Sequence, residues 1–149
     1  MKSDDDVDDD VLLYVEDNLD HADLVLDTLA RQKLGARVVH VEDGEAALAY
    51  LQQTDNVASP RPRLILLDLR LPKLDGFEVL RAVKSSPELA GIPVVVLTTS
   101  ASNLDISRAY AHHANSYLVK PHDYLTLDGL LQALSDYWLK RNALPAQEP

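Results

Sequence analysis

Five short runs of aliphatic residues, each followed by a stretch with helical periodicity, constrain this chain more than any other feature. The runs are Val11 to Val15, Ala36 to Val41, Leu64 to Leu67, Ile92 to Leu97 and Ser116 to Val119. Most lack the apolar/polar alternation of a half-solvated strand, so they read as strands buried on both faces. Helical spacing covers roughly Leu19 to Gln32, Glu45 to Gln53, Phe77 to Lys84, Leu104 to His112 and Leu125 to Arg141. Strands that alternate with helices pair in parallel through right-handed crossovers, and the helices cover both sheet faces. The expected fold is α/β, a doubly wound five-stranded parallel sheet with five helices on its two faces.

Composition narrows the function classes. With 149 residues, 46% of them hydrophobic, the chain suits one compact domain. It has no cysteine, which excludes disulfides, thiolate zinc sites and thiol catalysis, and gives no argument for an oxidising compartment. A cytoplasmic location without membrane contact is the expectation, since no apolar run approaches the ~20 residues of a membrane span. About half of the formal charge of -10 sits in the first ten residues, MKSDDDVDDD. Like charges at that density repel and bury nothing, so residues 1–10 are expected to form a disordered acidic arm and 143–149 a flexible tail. No clustered Lys/Arg face is visible, so no nucleic-acid partner is expected.

In an open parallel sheet, ligands collect at the carboxyl ends of the strands. Four of the five runs end in reactive groups: Glu16 and Asp17, then Asp68, then Thr98, then Lys120 before Pro121. Three carboxylates converging on one sheet edge repel unless a cation compensates, and an all-oxygen donor set suits a hard ion such as Mg²⁺. Lys120 can pair with an incoming phosphoryl group and the Thr98 hydroxyl can donate to it. Asp68, on the central strand of the expected order 2-1-3-4-5, is the candidate nucleophile, because a carboxylate can form an acyl phosphate. Taken singly, Asp17 reads equally well as a cap on the first helix and Asp68 as a cap on a turn. Five such groups at successive strand ends point jointly to phosphoryl chemistry.

The segments LLYVEDN, LILLDLRLPKLDGFEVL, IPVVVLTTS and YLVKP resemble the receiver domains of two-component response regulators, over about Val11 to Trp138. The spacing agrees, with 30 residues from Asp68 to Thr98 and 22 from Thr98 to Lys120. The resemblance implies a flavodoxin-like receiver domain over 11–142, in which Asp68 accepts phosphate from a histidine kinase. It further implies that Glu16, Asp17, Asp68 and the backbone carbonyl of Arg70 hold Mg²⁺, with Glu16 acting through water. Thr98 and Lys120 would bind phosphoryl oxygens, Lys120-Pro121 would be a cis peptide, and Tyr117 would be the aromatic switch residue. The resemblance also implies that Arg70 and Ser100 occupy positions that modulate how long the phosphoryl group survives. LTTS, AYAHHANSYLVKP and the Trp138-containing last helix resemble, more narrowly, the single-domain regulators paired with phytochrome histidine kinases.

Nothing after Arg141 is long enough for an output domain, so output by association is expected, including a homodimer through Tyr110, His113, Tyr117, Tyr137 and Trp138. Chemistry directed at an external substrate is not expected. A haloacid-dehalogenase-type phosphatase would need a second Asp two residues beyond the nucleophile, where this chain has Arg70. A flavodoxin-like electron carrier would need a Ser/Thr/Gly-rich phosphate loop where this chain has Glu16, Asp17 and Asn18. A pseudo-receiver that acts only as an interaction module would have little use for the intact acidic cluster, Thr98 and Lys120.

Overall fold

A computed structural model describes residues 10–54 and 59–145. The expected acidic arm, apart from Asp10, and the end of the expected tail lie outside the described residues. The elements are β1 (Val11–Val15), α1 (Leu19–Arg31), β2 (Arg37–Val41), α2 (Gly44–Leu51), β3 (Leu64–Leu67), α3 (Gly76–Ser85), β4 (Val94–Thr98), α4 (Asn103–Ala111), β5 (Ser116–Val119) and α5 (Tyr124–Ser135). All strand pairs are parallel and the order is β2-β1-β3-β4-β5, as the alternation predicts.

The sheet divides the core in two, because successive strand side chains point to opposite faces. Leu13, Val15, Ile65, Leu67, Val94 and Val96 pack with α2, α3 and α4. Leu12, Tyr14, Leu64, Leu66, Val95 and Leu97 pack with α1 and α5. Each α-helix opens on a short polar residue whose side chain accepts a backbone N–H of the first turn: Asn18, Asp43, Asp75, Ser102 and Asp123. These caps stop each helix short of the strand before it, leaving a loop at every strand end.

Two expectations are corrected. The last helix does not run as one α-helix to Arg141; it ends at Ser135 and continues as a π-helical turn over Asp136–Arg141. The wider turn places buried residues five apart, Leu134 and Leu139, so Leu139 takes the enclosed position and Trp138 packs half-buried against the cluster. Among the described residues no peptide bond is cis, so Lys120-Pro121 is trans, the form favoured by about 0.5–1 kcal/mol before tertiary contacts intervene.

Candidate functional site

The ladder continues one residue past the strands and fixes the backbone of the site. Glu16 N–H donates to the Val41 carbonyl at 3.1 Å, Asp68 N–H to the Val15 carbonyl at 3.1 Å and Lys120 N–H to the Thr98 carbonyl at 2.7 Å. Glu16, Asp68, Thr98 and Lys120 therefore stand together along one sheet edge, all buried. Side-chain alternation splits them. Asp68, Glu16 and Lys120 continue the face packed by α1 and α5, whereas Thr98 continues the face packed by α2, α3 and α4.

Lys120 is the hub. Its Nζ donates to Asp68 Oδ2 at 3.1 Å, to the Glu16 carboxylate, and approaches His21 Nδ1 at 3.2 Å. The other Asp68 oxygen, Oδ1, accepts the Arg70 N–H at 3.1 Å, so the turn-capping reading of Asp68 holds alongside its place in the cluster. Asp17 is exposed, and the cap on α1 is Asn18, which removes the capping explanation for Asp17. Ser100 N–H donates to Thr98 Oγ1 at 3.4 Å, and the Tyr117 hydroxyl donates to the Ser100 carbonyl at 2.9 Å.

The electrostatics record a shortage of positive charge. Burial, reinforced by hydrogen bonding with Asp68, pushes Glu16 up to about 7 against the lowering influence of Lys120. Burial also pushes Asp68 up, but hydrogen bonding with Glu16, the Lys120 charge and the Arg70 N–H outweigh it, leaving Asp68 below the ordinary carboxylate range. Burial, followed by the Glu16 and Asp68 charges, pushes the Tyr14 phenol far up. A second cation would relieve this crowding, and the oxygen-only donors Glu16, Asp17 and Asp68 suit a hard divalent ion. Among the described residues no three His, Asp or Glu side chains form a preassembled cage. Glu16 and Asp68 instead converge on the Lys120 ammonium.

Of the remaining expected residues, Tyr110 and Tyr137 are exposed and His113 is exposed with a left-handed backbone, φ 71°. Tyr117 and Trp138 are half-buried. Sequence reasoning missed His21, whose position in the first turn of α1 brings it to Lys120. It also missed Asp105, which meets both Arg70 and Ser100.

Residues 12–132 match the response regulator receiver domain. The probable methanogenesis regulatory protein FilR2 of Methanothrix harundinacea is 46% identical over 135 residues, 91% of this chain and 87% of the relative. The response regulator Rcp1 of Synechocystis is 44% identical over 137 residues, 91% of this chain and 93% of the relative. The structure of the Mn²⁺-bound form of Rcp1 is similar at a TM-score of 0.83 and 43% identity, covering 92% of this chain and 99% of the other. The phosphorylated cyanobacterial phytochrome response regulator RcpA is similar at a TM-score of 0.84 and 42% identity, with the same coverage. With its sheet order, its row of strand-end residues and this match over most of its length, the chain belongs to the response-regulator receiver-domain family.

Proposed function

We propose that this receiver domain accepts a phosphoryl group on Asp68 from the phosphohistidine of a histidine kinase, with Mg²⁺ supporting the transfer and association with another protein as output. The observation that carries the reading is the Asp68 carboxylate at the end of the central strand, held at 3.1 Å by a buried Lys120 with Thr98 buried at the next strand end. One Asp68 oxygen forms the new P–O bond as the P–N bond breaks, and the departing imidazole keeps the electron pair. Lys120 stays beside the acceptor as a fixed positive charge for the phosphoryl oxygens. Thr98 supplies a hydroxyl donor from the opposite face. Glu16, Asp17, Asp68 and the Arg70 carbonyl would hold the Mg²⁺, which when bound neutralises the carboxylates and the incoming phosphoryl charge. All of this chemistry ends on the chain itself, so the protein is a signalling acceptor.

Likeness to RcpA supports a phytochrome-type kinase as the donor. The Tyr117 hydroxyl, tied to the loop that follows Thr98, supports an output through α4, β5 and α5. The test is the intact mass of the protein incubated with Mg²⁺ and acetyl phosphate. The wild type gains one phosphoryl group, and Asp68→Asn, which keeps the shape but not the nucleophilic oxygen, gains none. A stable acyl phosphate on Asp68→Asn would remove Asp68 from the role.

A further inference from the structure

Asp105, in the first turn of α4, joins the two loops that flank the acceptor. Its Oδ2 accepts the Ser100 hydroxyl at 2.6 Å and Arg70 Nη2 at 3.2 Å. Ser100 lies two residues past Thr98 and Arg70 two past Asp68, so a single carboxylate oxygen spans both. The oxygen is well placed to persist there. The Asp105 side chain is only 16% exposed, and its backbone N–H is capped by Ser102 Oγ at 3.4 Å. Arg70 is rooted at the acceptor through its own N–H on Asp68 Oδ1, yet its guanidinium is carried sideways to α4 with 72% of the side chain exposed.

We propose that Asp105 is a positioning residue that holds the Arg70 guanidinium aside from the mouth of Asp68 and competes with the phosphoryl group for it. The inference rests on the phosphoryl-acceptor reading. Before phosphorylation Asp68 already has the Lys120 ammonium, and Asp105 takes Arg70. A phosphoryl group brings about -1.5 to -2 charges and three acceptor oxygens to the root of that same arginine. A guanidinium fork matches such a group in charge and in bidentate geometry. The contact with Asp105 therefore opposes the phosphorylated state, and it contributes by withholding a cation rather than by touching the reacting atoms.

The experiment compares wild type, Asp105→Asn, Arg70→Ala and the double variant in titrations with beryllium trifluoride and Mg²⁺, read by solution NMR. Asparagine keeps an oxygen for the Ser100 hydroxyl but releases Arg70, and circular dichroism checks that every variant is folded. Asp105→Asn is expected to bind beryllium trifluoride about threefold more tightly than wild type, the scale of one exposed ion pair. In the Arg70→Ala background the same substitution is expected to change nothing. A purely structural Asp105 would instead give equal effects in both backgrounds. Unchanged or weaker binding in Asp105→Asn, or the same gain without Arg70, overturns the proposal. If wild type itself neither binds beryllium trifluoride nor takes phosphate from acetyl phosphate, the acceptor reading falls and this inference with it.

Discussion

Two buried carboxylates share one ammonium in this site, and that imbalance has a pH signature. Glu16 titrates near 7 in the folded chain, against about 4.5 for an ordinary glutamate, so between those values the folded state binds more protons than the unfolded state. Stability in metal-free buffer is therefore expected to fall as pH rises from about 4.5 to about 7. Asp68, lowered on folding, acts with the opposite sign but only at the acid end, as pH drops below its ordinary value of 3.8. Thermal melts in a chelator across pH 4.5 to 7.5 test this, with Glu16→Gln expected to flatten the slope. Added Mg²⁺ is expected to restore stability at the upper end, and a slope that survives in Glu16→Gln would mean another group is responsible. The meeting of Glu16, Asp68, Thr98 and Lys120 at one sheet edge was legible in the sequence because each directly follows or ends an apolar run. His21 and Asp105 were not, because each stands in a helix's first turn, where sequence spacing does not show which strand end a side chain faces.

The turn between β3 and α3 shows how an element holds the acceptor. Gly76, the first residue of α3, is buried, and its N–H donates to the Leu69 carbonyl at 3.0 Å. A Cβ there would lie 2.4 Å from the Asp68 carbonyl oxygen and 2.5 Å from Leu69 Cα, both backbone atoms that cannot swing aside. Gly76→Ala is expected to destabilise the fold by about 1–3 kcal/mol, the range of a core overpacking change. It is also expected to slow phosphate uptake from acetyl phosphate, because the displaced backbone belongs to the acceptor. Urea unfolding at unchanged m-value and intact mass against time check the two effects; a wild-type midpoint would show that the turn has room to relax. Element types and order were readable from the alternating runs and helical spacing. The π-turn was not, since Leu134, Trp138 and Leu139 satisfy both a four- and a five-residue spacing, and only packing against the sheet selects the second.

For the whole molecule, the expected self-association has a sharper probe than Trp138, which packs against the core and whose replacement by a charge would disturb folding. Tyr110 and Tyr137 are 49% and 51% exposed, and aromatic residues of this kind are enriched at interfaces. A homodimer through α4, β5 and α5 repeats every substitution across its two-fold axis, so Tyr110→Glu introduces two charges and is expected to shift the protein toward monomer. Sedimentation velocity over a concentration range decides it. A wild type that stays monomeric with and without beryllium trifluoride would end the idea and leave the acceptor chemistry untouched. The division of the core into two faces was implicit in the doubly wound pattern, but which site residue belongs to which face depended on the register of β1, β3, β4 and β5. That register puts Asp68, Glu16 and Lys120 on the α1 and α5 side, and Thr98 and Tyr117 on the side of α4. Any influence of Asp68 on the side that carries Thr98 and Tyr117 therefore has to cross the sheet edge.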